Sequence, residues 1–189
     1  MKRVLMGLAV LGSGAAMALS AAPAMAAGNT SCTDSSLQGK TIAANVTVPA
    51  GASCDLSWAD VKGNVDVYGS LKTFGITHFE GNVTVHPGGS YGASNWGVTI
   101  DKNLSITDPA TYSYNGFWGN QGGTTNVVKG NLNYTIDADT VYPMYQSPLL
   151  YFGGGTTVEK NFNYSDQGTG FPGHLDRGGL HVVGQTNIS

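Results

Sequence analysis

Charge is scarce in this chain. Asp, Glu, Lys and Arg make up only 11% of its 189 residues, against roughly a quarter in an ordinary soluble domain. The charges present lean acidic, 12 against 9. No run of Lys or Arg forms the basic footprint of a nucleic-acid binder. Cysteine is nearly absent, limited to Cys32 and Cys54. Neither sits in a Cys-x-x-Cys pair or beside a His-rich segment, so no metal site, catalytic thiol or cofactor is expected. Apolar runs are short beyond residue 19, and none approaches the ~20 residues of a spanning helix. Helical periodicity, with apolar residues at i, i+3, i+4 and i+7, is missing too.

The first 26 residues read as a secretory leader. Lys2 and Arg3 form its charged start, Val4 to Leu19 its apolar stretch, and Ala24-Met25-Ala26 an A-x-A cleavage site. Gly12, Ser13, Gly14, Ser20 and Pro23 interrupt the apolar stretch, which argues against an uncleaved anchor. No Cys marks a lipoprotein junction. Cleavage after Ala26 removes Lys2 and Arg3 and takes the formal net charge from −3 to about −5. The expected location is extracellular, in a bacterial protein. Cys32 and Cys54 then read as a disulfide in an oxidising compartment, closing a loop worth roughly 3 kcal/mol. Residues 27–41 are read as an N-terminal cap segment, and 42–189 as one repeat domain.

Short repeats dominate what is present. The pattern is apolar, any, small-or-Lys, Asn, apolar, any, apolar. It reads Ile42-Ala43-Ala44-Asn45-Val46-Thr47-Val48, then Val61-Lys62-Gly63-Asn64-Val65-Asp66-Val67 and Phe79-Glu80-Gly81-Asn82-Val83-Thr84-Val85. Further copies centre on Asn103, Asn131 and Asn161, and a degenerate one carries Gln185. Val46-x-Val48 and Leu104-x-Ile106 have the period of two that belongs to strands. The Gly-Asn or Lys-Asn pair is read as a corner between strands, because Asn tolerates the left-handed conformation. Val48-Pro49-Ala50-Gly51 and Val85-His86-Pro87-Gly88 mark a second corner. One such turn cannot bury its apolar side alone, whereas stacked turns bury a continuous column. Stacking at ~4.8 Å also aligns Asn45, Asn64, Asn82, Asn103, Asn131 and Asn161 into a hydrogen-bonded ladder.

These motifs resemble the right-handed parallel β-helix group, and the Asn column looks like its asparagine ladder. Val48-Pro49-Ala50-Gly51-Ala52-Ser53-Cys54 and the V-x-G-N-V-x-V turns are most similar to the small secreted β-helix proteins of actinobacteria. A weaker similarity is to bactofilins, which are cytoplasmic polymers. The resemblance implies an all-β fold, a single right-handed parallel β-helix of about seven coils. It implies no particular activity.

Function is sought where the coils lengthen. The segments 107–127 and 137–157 carry Tyr112, Tyr114, Trp118, Tyr142, Tyr145 and Tyr151. Displayed aromatic rings can stack on sugar rings, and solenoid insertions often emerge on the binding face. The alternative is that these rings fill a wider interior. The outward column Thr47, Asp66, Thr84, Ser105, Asn133, Asn163, Asn187 is too mixed for a regular ice-binding array and reads as a solvated face. For catalysis the candidates are Asp137 and Asp139, two apart on a strand and so on one face, and His174 with Asp176 as acid and base. Their alternatives are a turn and a polar Gly-rich loop. The expected function is a non-enzymatic structural or adhesion module that associates with itself through an uncapped C-terminal end. A carbohydrate-binding module is the second expectation and a minimal carbohydrate-active enzyme the third. The expected partners are a second copy or cell-surface polysaccharide, without nucleic acid and without membrane insertion of the mature chain.

Overall fold

The computed structural model describes residues 28–94, 97–111, 113–118, 125–143, 147–153, 155–170 and 174–189. The leader, Tyr112, Tyr145 and the side chain of His174 lie outside what is described. Among the described residues every regular element is a strand, and no helix is long and apolar enough to cross a membrane. The strands form three parallel sheets of eight, seven and six members, plus a two-stranded pair. The first sheet runs from Asn29–Ser31 through Asn45–Val48, Val65–Val67, Val83–Val85, Leu104–Thr107, Leu132–Ile136 and Phe162–Asp166 to Thr186–Ile188. From Asn45–Val48 on, the chain passes from the first sheet to the third, then the second, and back to the first, entering the two-stranded pair on the way after Leu132–Ile136 and after Phe162–Asp166. This rotation is consistent with a parallel β-helix.

Alternation of burial explains why these short segments are strands. Val46, Val65, Val83, Leu104, Leu132 and Phe162 stack in register and are buried, while Thr47, Asp66, Thr84, Ser105, Asn133, Asn163 and Asn187 stack outward beside them. Val48, Val67, Val85, Ile106, Tyr134 and Tyr164 form a second inward column. Side chains grow along both columns as the passes lengthen. A longer pass encloses more volume, and the core stays packed only if larger groups fill it. Tyr134 and Tyr164 accordingly stack with ring centroids 5.3 Å apart.

The Asn corner works differently from the conformational reading. Among the described non-glycine residues only Trp58 and Asp108 have positive φ, so the corner Asn residues are not left-handed. Their side chains carry the corner instead. Asn45 Oδ1 accepts from Asn64 N at 2.9 Å, and Asn64 Oδ1 from Asn82 N at 2.9 Å. Asn82 Oδ1 accepts from Asn103 N, Asn103 Oδ1 from Asn131 N, Asn131 Oδ1 from Asn161 N, and Asn161 Oδ1 from Gln185 N. Each amide oxygen thus serves a backbone N–H that no strand carbonyl reaches. The preceding Gly81 is needed for space: a Cβ there would lie 2.3 Å from the carbonyl oxygen of Gly63. At the second corner the left-handed residues are glycines, Gly51 (φ 77°) and Gly88 (φ 80°), which adopt that region without steric penalty.

Cys32 and Cys54 are bonded and fully buried, with Cα atoms 5.4 Å apart. The bridge ties the segment after the first strand to the third sheet, beside the backbone bond from Asp55 N to Asp34 O. Reduction, or the Cys32→Ser/Cys54→Ser double change, is expected to lower unfolding free energy by about 3 kcal/mol. Urea midpoints with and without reductant check this, and coincident midpoints contradict a stapling role.

Candidate functional site

The outer face of the third sheet brings aromatic residues together. Its strands are Ser53–Asp55, Ser70–Phe74, Ser90–Ser94, Tyr114–Trp118, Leu149–Phe152 and His174–Asp176. In Tyr114–Trp118 the period of two sends Asn115 and Phe117 inward, both fully buried, and sends Tyr114 and Trp118 outward. In Leu149–Phe152 it sends Leu150 and Phe152 inward and Tyr151 outward. Tyr114 and Trp118 meet edge to face at 4.9 Å, and Trp118 and Tyr151 meet at a tilt, 5.2 Å apart. The two expectations for the long coils therefore divide by parity: alternate aromatics fill the wider interior and the others are displayed.

Glycine makes room in front of these rings. Asp55, Lys72, Gly92, Gly116 and Tyr151 follow one another in the middle outward column, and Phe74, Ser94 and Trp118 in the next. A Cβ on Gly116 would lie 2.4 Å from the Tyr151 carbonyl oxygen. At Gly92 a Cβ would meet nothing closer than 3.6 Å, so the missing side chain leaves open space. The result is a hollow of about 450 Å³ lined by Lys72, Phe74, Gly92, Ser94, Tyr114 and Trp118, among others.

Two contributors were not singled out from the sequence. Trp58 and Phe74 lie on the early, short turns and are 53% and 43% exposed. Their rings meet edge to face at 6.0 Å. Trp58 holds a left-handed backbone (φ 57°) and its ring covers Gly75. That conformation costs a non-glycine residue about 1–2 kcal/mol, and strain of this kind concentrates at functional positions. From the strand before Trp58 to the strand of Tyr151 is four strand steps, about 19 Å along the stack. The aromatic strip thus offers several ring-sized platforms in a row.

The remaining sequence candidates are not brought to this hollow. Tyr142 is buried and its hydroxyl donates to Pro109 O at 2.7 Å, so the reading of it as a ligand-binding ring is corrected to a core role. Asp137 and Asp139 are exposed beyond the end of Leu132–Ile136, in a turn closed by Thr140 N donating to Asp137 O. They share no strand face, which corrects that reading. Asp176 is exposed on the third sheet, and its Oδ1 accepts from Gly178 N at 2.9 Å. The carboxylates of the two proposed acid–base sets therefore stand on separate elements.

A second cluster, unforeseen because its members scatter over four repeats, lines the second sheet. Lys62 Nζ lies 2.7 Å from Asp60 and 2.6 Å from Glu80. His78 bridges Asp60 at 3.2 Å and Asp101 at 3.0 Å, and Lys129 lies 2.8 Å from Asp101. Asp60, His78 and Glu80 offer ligand atoms within 4.8 Å of one another, but the Lys62 ammonium already compensates both carboxylates. Hydrogen bonds from Lys62 and Lys129 hold the Asp60 and Asp101 carboxyls below their ordinary 3.8. Such depressed groups contribute stability above the unfolded value, and the contribution is lost as pH falls through the folded one. Asp101→Asn is therefore expected to destabilise modestly at neutral pH, since solvent screens exposed pairs, and to cost nothing well below pH 3.8. Urea midpoints across the acid range check this. A penalty independent of pH contradicts it.

No family model, curated protein or solved structure matches this chain.

Proposed function

We propose that this protein is a secreted, non-enzymatic, adhesion-type module that binds polysaccharide on the outer face of its third sheet. The observation that carries the reading is the displayed strip of Trp58, Phe74, Tyr114, Trp118 and Tyr151 around a glycine-floored hollow. Sugar rings present apolar C–H faces with polar edges, and flat aromatic rings with polar rims complement them. Low charge density and a buried disulfide support extracellular work. The right-handed winding in about seven coils belongs to the same proposal, supported by the recurring order of the three sheets along the chain and by the strong right-handed preference of parallel crossovers.

The test is retention of the mature, oxidised protein on insoluble and immobilised polysaccharides, with product analysis of every bound sample. Retention without product formation is the expected result. Release of products, or no retention on any polysaccharide, overturns the reading.

A further inference from the structure

Among the described residues Lys72 is the only cation lining the hollow, which Asp55 also lines. Lys62 pairs with Asp60 and Glu80, and Lys129 with Asp101, whereas Lys40, Lys102, Lys160 and Arg177, like Lys72, make no ion pair among the described residues. Lys72 stands directly beside Asp55 on the adjacent parallel strand, yet the two make no ion pair. Asp55 is engaged on its other side. Its Oδ1 accepts from Ser57 N at 2.9 Å and from Ser57 Oγ, and its Oδ2 accepts from Gln38 Nε2 at 2.9 Å. Among the described residues Lys72 Nζ has no hydrogen-bond or ion-pair partner. The next position in its column is Gly92, which contributes no side chain. The ammonium therefore borders open space next to the Tyr114 and Trp118 rings.

We infer that the hollow takes a sugar residue bearing a carboxylate, with its ring against Tyr114 and Trp118 and its carboxylate paired to Lys72. This rests on the polysaccharide reading above. One ammonium in a chain of net charge −3 suits a monoanionic group. Sulfate or phosphate arrays would need a field of several cations to offset the acidic surroundings. The charge-assisted bond selects for the carboxylate, while the aromatic contacts accept neutral and acidic rings alike.

The experiment uses matched pairs. β-1,4-, β-1,3- and α-1,4-linked glucan oligosaccharides are each compared with the twin whose C6 hydroxyls have been oxidised to carboxylates, by titration calorimetry on the mature, oxidised protein. The carboxylated twin of the bound backbone is expected to bind about tenfold more tightly at low salt, with the advantage shrinking as salt rises. Lys72→Gln is expected to bring the carboxylated twin down to the affinity that the same variant shows for the neutral one, and Lys72→Arg to keep the advantage. Equal affinity for the twins, or a preference that survives Lys72→Gln, overturns this inference and leaves the polysaccharide reading standing. Failure of every oligosaccharide to bind overturns this inference, and the polysaccharide reading falls with it when no polysaccharide retains the protein.

Discussion

Trp118→Ala is expected to weaken polysaccharide binding at least 30-fold, about the loss seen when a central aromatic anchor is truncated. Trp118 lies between Tyr114 and Tyr151 and borders the hollow, so its removal takes away the largest platform and leaves both neighbours without their ring contact. Trp58→Ala, at the outer end of the strip, is expected to cost less. Stability should hardly change in either variant, because both rings project from the outer face and the core columns are untouched. Calorimetric titration beside urea unfolding separates the two effects. An unchanged affinity with Trp118→Ala means that the aromatic strip is packing and not a binding surface.

Asn103→Ala is expected to lower unfolding free energy by about 3 kcal/mol, through lost bonds and an orphaned backbone donor. Asn103 Oδ1 accepts from Asn131 N at 2.8 Å and from Asn131 Nδ2 at 3.2 Å, while its own Nδ2 donates to Asn82 Oδ1 at 3.1 Å. Truncation leaves the half-buried Asn131 N–H without an acceptor. Asn133→Ala is the contrast. Asn133 exchanges bonds with Ser105 and Asn163 side chains alone, so no backbone group is stranded and the expected cost stays below about 1 kcal/mol. Equal urea midpoints for the two variants contradict the claim that the ladder acts on the backbone.

The repeat was legible because a short apolar alternation recurs at fixed offsets from Asn, and the first sheet follows that alternation residue by residue. Its stacking also made the Asn column readable. The reason for Asn was less readable, since side-chain bonding and left-handed tolerance favour the same residue type. Two inward asparagines were missed altogether. Asn115 Oδ1 accepts from Tyr91 N and Asn126 Oδ1 from Val98 N, both at 2.9 Å. Nothing in Tyr114-Asn115-Gly116 or Thr125-Asn126-Val127 separates such a residue from a loop asparagine until the register is known.

The aromatic site was half legible. Tyr114, Trp118 and Tyr151 stood out because they cluster in the long segments, but Tyr142 belongs to the same cluster and is buried. Separating displayed from packed rings requires strand parity, and the irregular long passes hide the parity in sequence. Trp58 and Phe74 lie on ordinary-length turns, and register alone brings them into line with residues forty to ninety positions away. Lys72 carries no sequence signal either, since its significance depends on Asp55 turning toward Ser57 and Gln38.

The central claim is that the outer face of the third sheet is the binding surface. Its most direct test is an NMR titration of the mature, oxidised protein with the best-retained oligosaccharide, following backbone amides and the indole N–H signals. The account predicts saturable shifts at Trp118, Trp58 and the amides of Gly92 and Ser94, with the side-chain amides of Asn133 and Asn163 on the first sheet unmoved. Shifts centred on the first or second sheet, with Trp118 and Gly92 silent, would contradict it.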